Sequence, residues 1–331
     1  MRAVVVEQFG PIENAVLRVA PDPVPNPGEL VVTVHATAAN YVDILLIGGR
    51  HQSRPGLPFI PGKGAAGIVT AVGAGTNGYA VGDRVLAMCE PGGGFAERVA
   101  VPATQCHRLP DSMSFVDAAS MALVFDTAWF SLRERGRYRA GETVLVLGAS
   151  GGVGLASIQL AKALGAHVLA GVSNPDKFDL AREAGADGII ELARHDLRDS
   201  LRAQVYAATG GRGADIVIDP VGDDIFDAAI RAVAWCGRLV VIGFAAGRIP
   251  TIQANYLLVR NIEVSGLQIG DYRKRAPEKT AACFEELFRL YDAGKIEPLP
   301  TTIMPMERVG DALRAIRDRA VRGRIVLEQP A

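Results

Sequence analysis

The sequence predicts an α/β protein in two parts, an amino-terminal domain of short β-strands followed by a doubly wound domain on a six-stranded parallel sheet. Three features predict it. The first ~120 residues alternate short apolar runs with turn-forming separators and show little helical periodicity, as a small all-β domain does. From about Asp117 onward, β-branched runs alternate with Ala-rich stretches of helical period, as in stacked βαβ units. The tail then returns to mixed texture.

In the first part the expected strands are Arg2 to Val6, Leu30 to Val34, Gly67 to Val72, Arg84 to Met88 and Phe95 to Val101. The separators PDPVPNPGE, RPGLPFIPG and GAGTNGYAVGD carry the residues that tight turns require. In the second part the strands are Thr143 to Leu147, His167 to Gly171, Gly188 to Glu191, Asp215 to Asp219, Arg238 to Gly243 and Ile262 to Ser265. Helices are expected at Gly152 to Leu164, Pro175 to Ala184, Leu197 to Thr209 and Asp223 to Ala234, the spacing a doubly wound dinucleotide fold needs. The tail reads as a helix near Glu278 to Asp292, a helical face of Val309, Ala312, Leu313 and Ile316, and a strand from Arg324 to Leu327. Assigning the tail to the first domain makes that domain discontinuous, residues 1–124 and 267–331 around residues 125–266.

Composition narrows the function classes. Of 331 residues, 49% are hydrophobic and 21% charged, ordinary globular values, and 35 basic side chains against 36 acidic ones leave no global field for nucleic acid or an anionic membrane. The start MRAVVVEQFG lacks a signal-peptide pattern and no stretch reaches the ~18 apolar residues of a membrane span, so a cytoplasmic protein is expected. Cys89, Cys106, Cys236 and Cys283 form no CxxC pair, which argues against a disulfide framework and a local zinc site. The five histidines sit singly, His51 alone lying in a Gly- and Pro-rich stretch that could border a cleft. No GxSxG follows a strand, which sets aside a serine hydrolase.

The chemistry concentrates at GASGGVG, Gly148 to Gly154. It follows the buried-strand run TVLVL and opens the helical LASIQLAKALGA, so its glycines can turn tightly and bring bare N–H groups against a pyrophosphate at a helix start. Ser150, Gly151, Gly152 and Val153 are the contacts expected there. About 20 residues on, where an acid would chelate the ribose 2′-OH of NAD, stands LAGVSNPDK. Ser173, Asn174 and Lys177 are instead donors suited to a 2′-phosphate, so NADPH is expected over NADH; Asp176 is placed for helix capping.

With these motifs the chain resembles the zinc-free quinone oxidoreductase branch of the medium-chain dehydrogenase/reductase superfamily, the branch that includes zeta-crystallin. The resemblance runs from Met1 to about Leu327, through AANYVD, PFIPGKGAAG, VGDRV, GGGFAE, FDTAW, the glycine motif, DPVG and IGFAAG. It implies a GroES-like β-barrel catalytic domain completed by the tail, a Rossmann domain between, and no zinc. Asn40 stands where zinc-dependent relatives have a ligating Cys, and Gly62, Lys63 and Gly64 where they have GHE. The resemblance places Asn40 and Thr127 at the nicotinamide, and Arg319 with Ser173 and Lys177 at the 2′-phosphate. It adds Val221, Gly243, Phe244, Leu267 and Gln268 as further cofactor contacts. The implied activity is hydride transfer from NADPH to a quinone or conjugated carbonyl, with Asn40 polarising the acceptor, Tyr41 assisting and Thr127 completing the catalytic set. A 2-alkenal or enoyl reductase is the nearest alternative, and an NADPH-gated binding protein an alternative of another class. A homodimer through the strand near Ile262 to Ser265 is expected, with no nucleic-acid or membrane partner.

Overall fold

In the computed structural model, which describes residues 1–193 and 195–329, the apolar runs between the Gly- and Pro-rich separators become strands. In chain order they are β1 (Arg2–Val6), β2 (Ala15–Val19), β3 (Glu29–Ala39), β4 (Gly64–Val72), β5 (Arg84–Met88), β6 (Arg98–Pro102) and β7 (Cys106–Arg108). The α/β stretch contributes β8 (Thr143–Leu147), β9 (His167–Val172), β10 (Gly188–Glu191), β11 (Ala214–Asp219), β12 (Val233–Val241) and β13 (Glu263–Gly266), and the tail β14 (Thr301–Pro305) and β15 (Arg324–Glu328). Two compact units result: Met1–Leu123, Gly270–Phe288 and Pro298–Ala331 form one, Val124–Ile269 and Arg289–Glu297 the other. The last two residues of the expected 267–331 segment lie outside the described residues.

The first unit is organised around β3, which pairs antiparallel with β4, β6 and β15. The sheet runs β14-β15-β3-β4-β5-β7, and β1 and β2 form a separate two-stranded pair. The tail strand β15 therefore lies between β14 and β3, opposing Ile325 to Ala39 and Leu327 to Thr37. Its Ile325 and Leu327 join Val4, Val6, Ile44, Ile47, Phe95 and Leu313 in one apolar cluster, so residues from both ends of the chain share a core.

The second unit carries six parallel strands in the order β10-β9-β8-β11-β12-β13. Counted within the unit this is 3-2-1-4-5-6, the Rossmann order, and it places a topological switch between β8 and β11. Every residue of β8 is buried, which is why TVLVL reads as a continuous apolar run rather than an alternation. Beside it, Arg238 holds Glu142 in a two-pronged ion pair of 2.9 and 2.7 Å.

Several elements differ from expectation. Among the described residues, the amino-terminal stretch of the first unit contains two short α-helices, Tyr41–Ile47 and Phe115–Met121, each seven residues long and too brief to show a sequence period. β3 extends to Ala39 because HATAA, poor in large apolar residues, gains its pairing from β4 and β15. β12 starts at Val233 rather than Arg238, since a register irregularity lets Val233 pair with Ala214. The preceding helix accordingly stops at Ala229 and tightens into a 3-10 turn, Ile230–Ala232. Likewise Pro175–Lys177 is a 3-10 turn ahead of the Phe178–Glu183 helix. Among the described residues no single helix is long and apolar enough to cross a membrane.

The shared core gives a stability test. Leu327 is fully buried, so Leu327→Ala is expected to cost about 2–5 kcal/mol in urea unfolding, the range for a buried leucine truncated in a packed core. A cost under ~1 kcal/mol would mean that the tail strand is peripheral to the first unit's stability.

Candidate functional site

The expected residues fall on both units, and each set is built by its own local constraints. In the α/β unit the turn after β8 is shaped by backbone proximity. A Cβ at position 154 would stand 2.4 Å from the Gly148 carbonyl oxygen and 2.6 Å from Ala149 Cα, so only glycine lets the Gly152–Ala163 helix start this close to the strand. Gly148 has φ +58°, a left-handed conformation glycine adopts without strain, and a Cβ there would meet Val221 Cγ2 at 2.8 Å. Gly151 caps the helix, its N–H bonded to the Gly148 carbonyl at 3.0 Å. Ser150, Gly151, Gly152 and Val153 are all partly or fully exposed at that helix start. A helix N-terminus whose approach carries no side-chain bulk is the cradle a pyrophosphate takes.

Because all six strands run parallel, the loops after β8, β9, β11, β12 and β13 emerge from the same edge of the sheet. Those loops hold the remaining expected contacts of this unit. Ser173 and Asn174 are exposed just past β9; Asn174 Oδ1 accepts from Asp176 N at 3.0 Å, which leaves its amide hydrogens as the outward chemistry. Lys177, partly buried, ends the same turn. After β11, Asp219 is buried and its Oδ1 accepts from the N–H groups of Val221 and Gly222 at 2.8 and 3.0 Å, fixing the loop beside the switch point. Burial raises the Asp219 carboxyl above the usual range, and these two bonds oppose the rise. Gly243 and Phe244 follow β12, and Phe244 borders Gly222. Past β13, Leu267 is tied back to Val241 at 2.9 Å while Gln268 is exposed. Thr127 is buried in the Val124–Trp129 helix, its carbonyl accepting from Ser131 Oγ at 2.7 Å where the helix passes into a π-helical turn.

In the first unit, Asn40 is the N-cap of the Tyr41–Ile47 helix and only 5% exposed. Its backbone N–H donates to Asp43 Oδ2 at 2.8 Å, and Asp43 Oδ1 accepts from Gly62 N at 3.1 Å, so one buried carboxylate joins both stretches expected to matter. Burial pushes the Asp43 carboxyl up to about 6 against these bonds and the Lys63 charge. The Asn40 side chain donates from Nδ2 to the Ala38 carbonyl at 2.9 Å, and its Oδ1 accepts from Arg324 Nη2 at 2.8 Å. Tyr41 starts the helix and is 42% exposed. Arg319 is exposed just past the Val309–Arg317 helix with φ +56°, where glycine or asparagine is the usual occupant.

The charges around the former GHE stretch went unread in the sequence. Lys63 Nζ pairs with Glu90 Oε2, and Glu90 Oε1 accepts from Arg273 Nη1 at 2.6 Å, all three side chains being buried. Desolvation, the largest influence, pushes the Glu90 carboxyl up, but Arg273 and Lys63 together bring it below the ordinary range. Asp43 had a local signal, since an acid three residues after an N-cap asparagine is a capping pattern. Arg273 and Arg324 had none, being distant in sequence from their partners. Of the cysteines, Cys89, Cys106 and Cys283 are buried and Cys236 is exposed; burial pushes the Cys89 thiol up to about 12. His51 is engaged locally with Ser53.

Residues 26–111 match the family described as alcohol dehydrogenase GroES-like domain, and residues 152–286 the family described as zinc-binding dehydrogenase. The chain is 36% identical over 298 residues to a quinone oxidoreductase-like protein 2 homolog of Nematostella vectensis, covering 89% of this chain and 80% of that protein. It is 35% identical to quinone oxidoreductase-like protein 2 of Bos taurus, over 93% of this chain and 87% of that one. The solved structure of mycobacterial Rv1454c complexed with NADPH matches at a TM-score of 0.91 and 29% identity, covering 99% of this chain and 100% of the other.

The buried triad sets a pH-dependent stability. Glu90→Gln is expected to cost about 3–5 kcal/mol at pH 7, because it leaves two buried cations without their carboxylate. Since the Glu90 carboxyl is depressed in the folded protein, its contribution is complete above the ordinary value of 4.5 and is lost as pH falls through the lower folded value. Urea unfolding across pH 3 to 7 should therefore show the gap between wild type and variant narrowing at the acid end; a constant gap would overturn the assignment.

Proposed function

The chain belongs to the medium-chain dehydrogenase/reductase superfamily, in its quinone-oxidoreductase-like branch, and on that premise we propose that it is an NADPH:quinone oxidoreductase, zinc-independent, acting on a quinone or similar conjugated carbonyl. The observation that carries the proposal is the state of Asn40. Its Oδ1, the one atom of that side chain able to ligate a metal, is engaged by a guanidinium, and its Nδ2 is a donor. At the other former ligand stretch Lys63 brings an ammonium and Gly64 no side chain, a donor set that does not fit zinc.

The cofactor's expected holders are the glycine turn with Ser150 and Val153 for the pyrophosphate, and Ser173, Asn174, Lys177 and Arg319 for the 2′-phosphate. NADPH, when bound, supplies the hydride. The chain's own part is binding, orientation and polarisation. Asn40 donates to the acceptor oxygen as negative charge develops on it, Tyr41 at the helix start assists, and Thr127 orients the nicotinamide. A quinone or enone brings its own electrophilicity, so a hydrogen-bond donor suffices. A simple alcohol needs a base or metal to lower its pKa, and Asn40 is neither.

We also propose that the protein is a homodimer joined at β13. Among the described residues this strand has a neighbour on one side only, and the adjacent Ala254–Arg260 helix leaves Leu258 and Val259 77% and 75% exposed. A second copy related by a two-fold axis would extend the sheet edge to edge and cover those side chains. Light scattering at micromolar concentration is expected to give twice the chain mass, and a monomer would overturn this.

Steady-state oxidation of NADPH and NADH against benzoquinones, naphthoquinones and 2-alkenals, with metal content measured on the same sample, tests the activity. The expected outcome is quinone turnover preferring NADPH without stoichiometric zinc, and a loss of about 100-fold or more in kcat for Asn40→Ala. Ethanol oxidation with NAD at a comparable rate would overturn the reading, and faster turnover of 2-alkenals than of any quinone would move it to double-bond reduction.

A further inference from the structure

Arg324 has no part in the reaction as proposed, yet its surroundings are specific. It opens β15, is buried, and donates to three acceptors: the Ser120 carbonyl from Nε at 3.1 Å, the Ala122 carbonyl from Nη2 at 3.3 Å, and Asn40 Oδ1 from Nη2 at 2.8 Å. Burial lowers its pKa to about 10, which leaves it charged at neutral pH.

The two ends of the Asn40 carboxamide are chemically opposite, one acceptor-only and the other donor-only. A guanidinium only donates, so it selects the oxygen; the Ala38 carbonyl only accepts, so it selects the nitrogen. Rotating the amide by half a turn would set NH2 against the guanidinium and oxygen against oxygen. Meanwhile Asp43 fixes the residue's backbone through Asn40 N and ties it to Gly62 N. Asp43 also engages the Asn40 side chain, so the guanidinium on the oxygen acts together with the Ala38 carbonyl and the neighbouring carboxylate in deciding which way the amide faces. Nδ2 is thereby held as the donor end of the amide, its bond to the Ala38 carbonyl using one of its two hydrogens.

We infer that Arg324 is a positioning residue, holding the Asn40 carboxamide in the one orientation that offers an N–H, and never a carbonyl, to the substrate oxygen. This rests on the reading of Asn40 as the donor to the acceptor. It adds a specificity consequence: a carbonyl oxygen is met by a donor, whereas a hydroxyl finds no acceptor in Asn40 for its proton. The guanidinium thereby biases the site toward carbonyl reduction and against alcohol binding.

A double-mutant cycle separates this from a merely structural role. Asn40→Ala, Arg324→Gln and the double variant are compared for quinone kcat and KM, for NADPH affinity by fluorescence titration, and for urea unfolding of the cofactor-free protein. Glutamine can itself flip, so it removes the guanidinium's share of the bias. Arg324→Gln is expected to lower kcat by about 10- to 100-fold while NADPH affinity stays within about twofold. In the Asn40→Ala background the same change should lower kcat no further, because the amide it positions is gone, and unfolding should show the two residues coupled. Arg324→Lys, which still donates to Oδ1, should recover part of kcat, and it takes the place of Arg324→Gln in the cycle if the latter does not fold. Kinetic effects that multiply in the double variant, or an Arg324 variant with full kcat, would overturn the inference. If Asn40→Ala alone keeps full kcat, the donor reading itself falls.

Discussion

Three acceptors from the first half of the chain, the carbonyls of Ser120 and Ala122 and the amide oxygen of Asn40, converge on one guanidinium that arrives 204, 202 and 284 residues later. Arginine suits this role because its fork donates in several fixed directions at once and stays charged when buried. Arg324 can be there only because β15 inserts between β14 and β3, and β15 inserts because its apolar Ile325 and Leu327 complete the core begun by Val4, Val6 and Ile47. Hydrophobic closure of the first unit and the orientation of a candidate catalytic amide are therefore the same event. Loss of the tail strand would open the sheet and free the amide together.

On the proposed reading the α/β unit solves a different problem, bringing backbone N–H groups as well as side chains to a cofactor. The separations at Gly148 and Gly154 leave no room for a Cβ, and this closeness is what sets the Gly152–Ala163 helix start against the end of β8. The parallel sheet then collects the other loops at the same edge without further design, since each strand ends there. Among these loops the chemistry is divided. The glycine turn supplies N–H groups and the loop after β9 supplies side-chain donors, while the loop after β11 is stiffened by Asp219 reaching back to Val221 and Gly222.

How much of this was legible follows from the range of the forces involved. Arg84–Met88, Thr143–Leu147 and Gly188–Glu191 lie where the sequence places them, because a short apolar run between turn residues defines its own ends. The glycine turn was legible for the same reason, its strand, turn and helix being contiguous. β12 was misplaced because its first residues take their conformation from pairing with Ala214, a tertiary preference that VAW does not advertise. The Tyr41–Ile47 helix is shorter than any window that could reveal it, although the Asn40 to Asp43 spacing marks its cap. Arg324 lies beyond local reading altogether: within GRIVL it is one more charged residue before a strand, and only the folded register sets it against Asn40.

Among its described residues the first unit also buries more positive than negative charge, three cations against two carboxylates. Lys63, Arg273 and Arg324 are cations; Glu90 is a carboxylate held below its ordinary pKa by two of them, and Asp43 is a second carboxylate, raised to about 6 by burial and still largely ionised at pH 7. Sequestering unmatched charge costs stability, and a fold selected for stability alone would replace such groups by apolar ones of similar volume. An excess of buried cations is useful where negative charge arises transiently, because dipoles and charges already in place need no reorganisation when it appears. On the proposed reading that charge is the oxyanion of a reduced carbonyl, and Asn40 is its donor. Arg324 then contributes twice, by the orientation it imposes on the amide and by the field of its own charge behind it, and a lysine in its place would keep the second contribution while weakening the first.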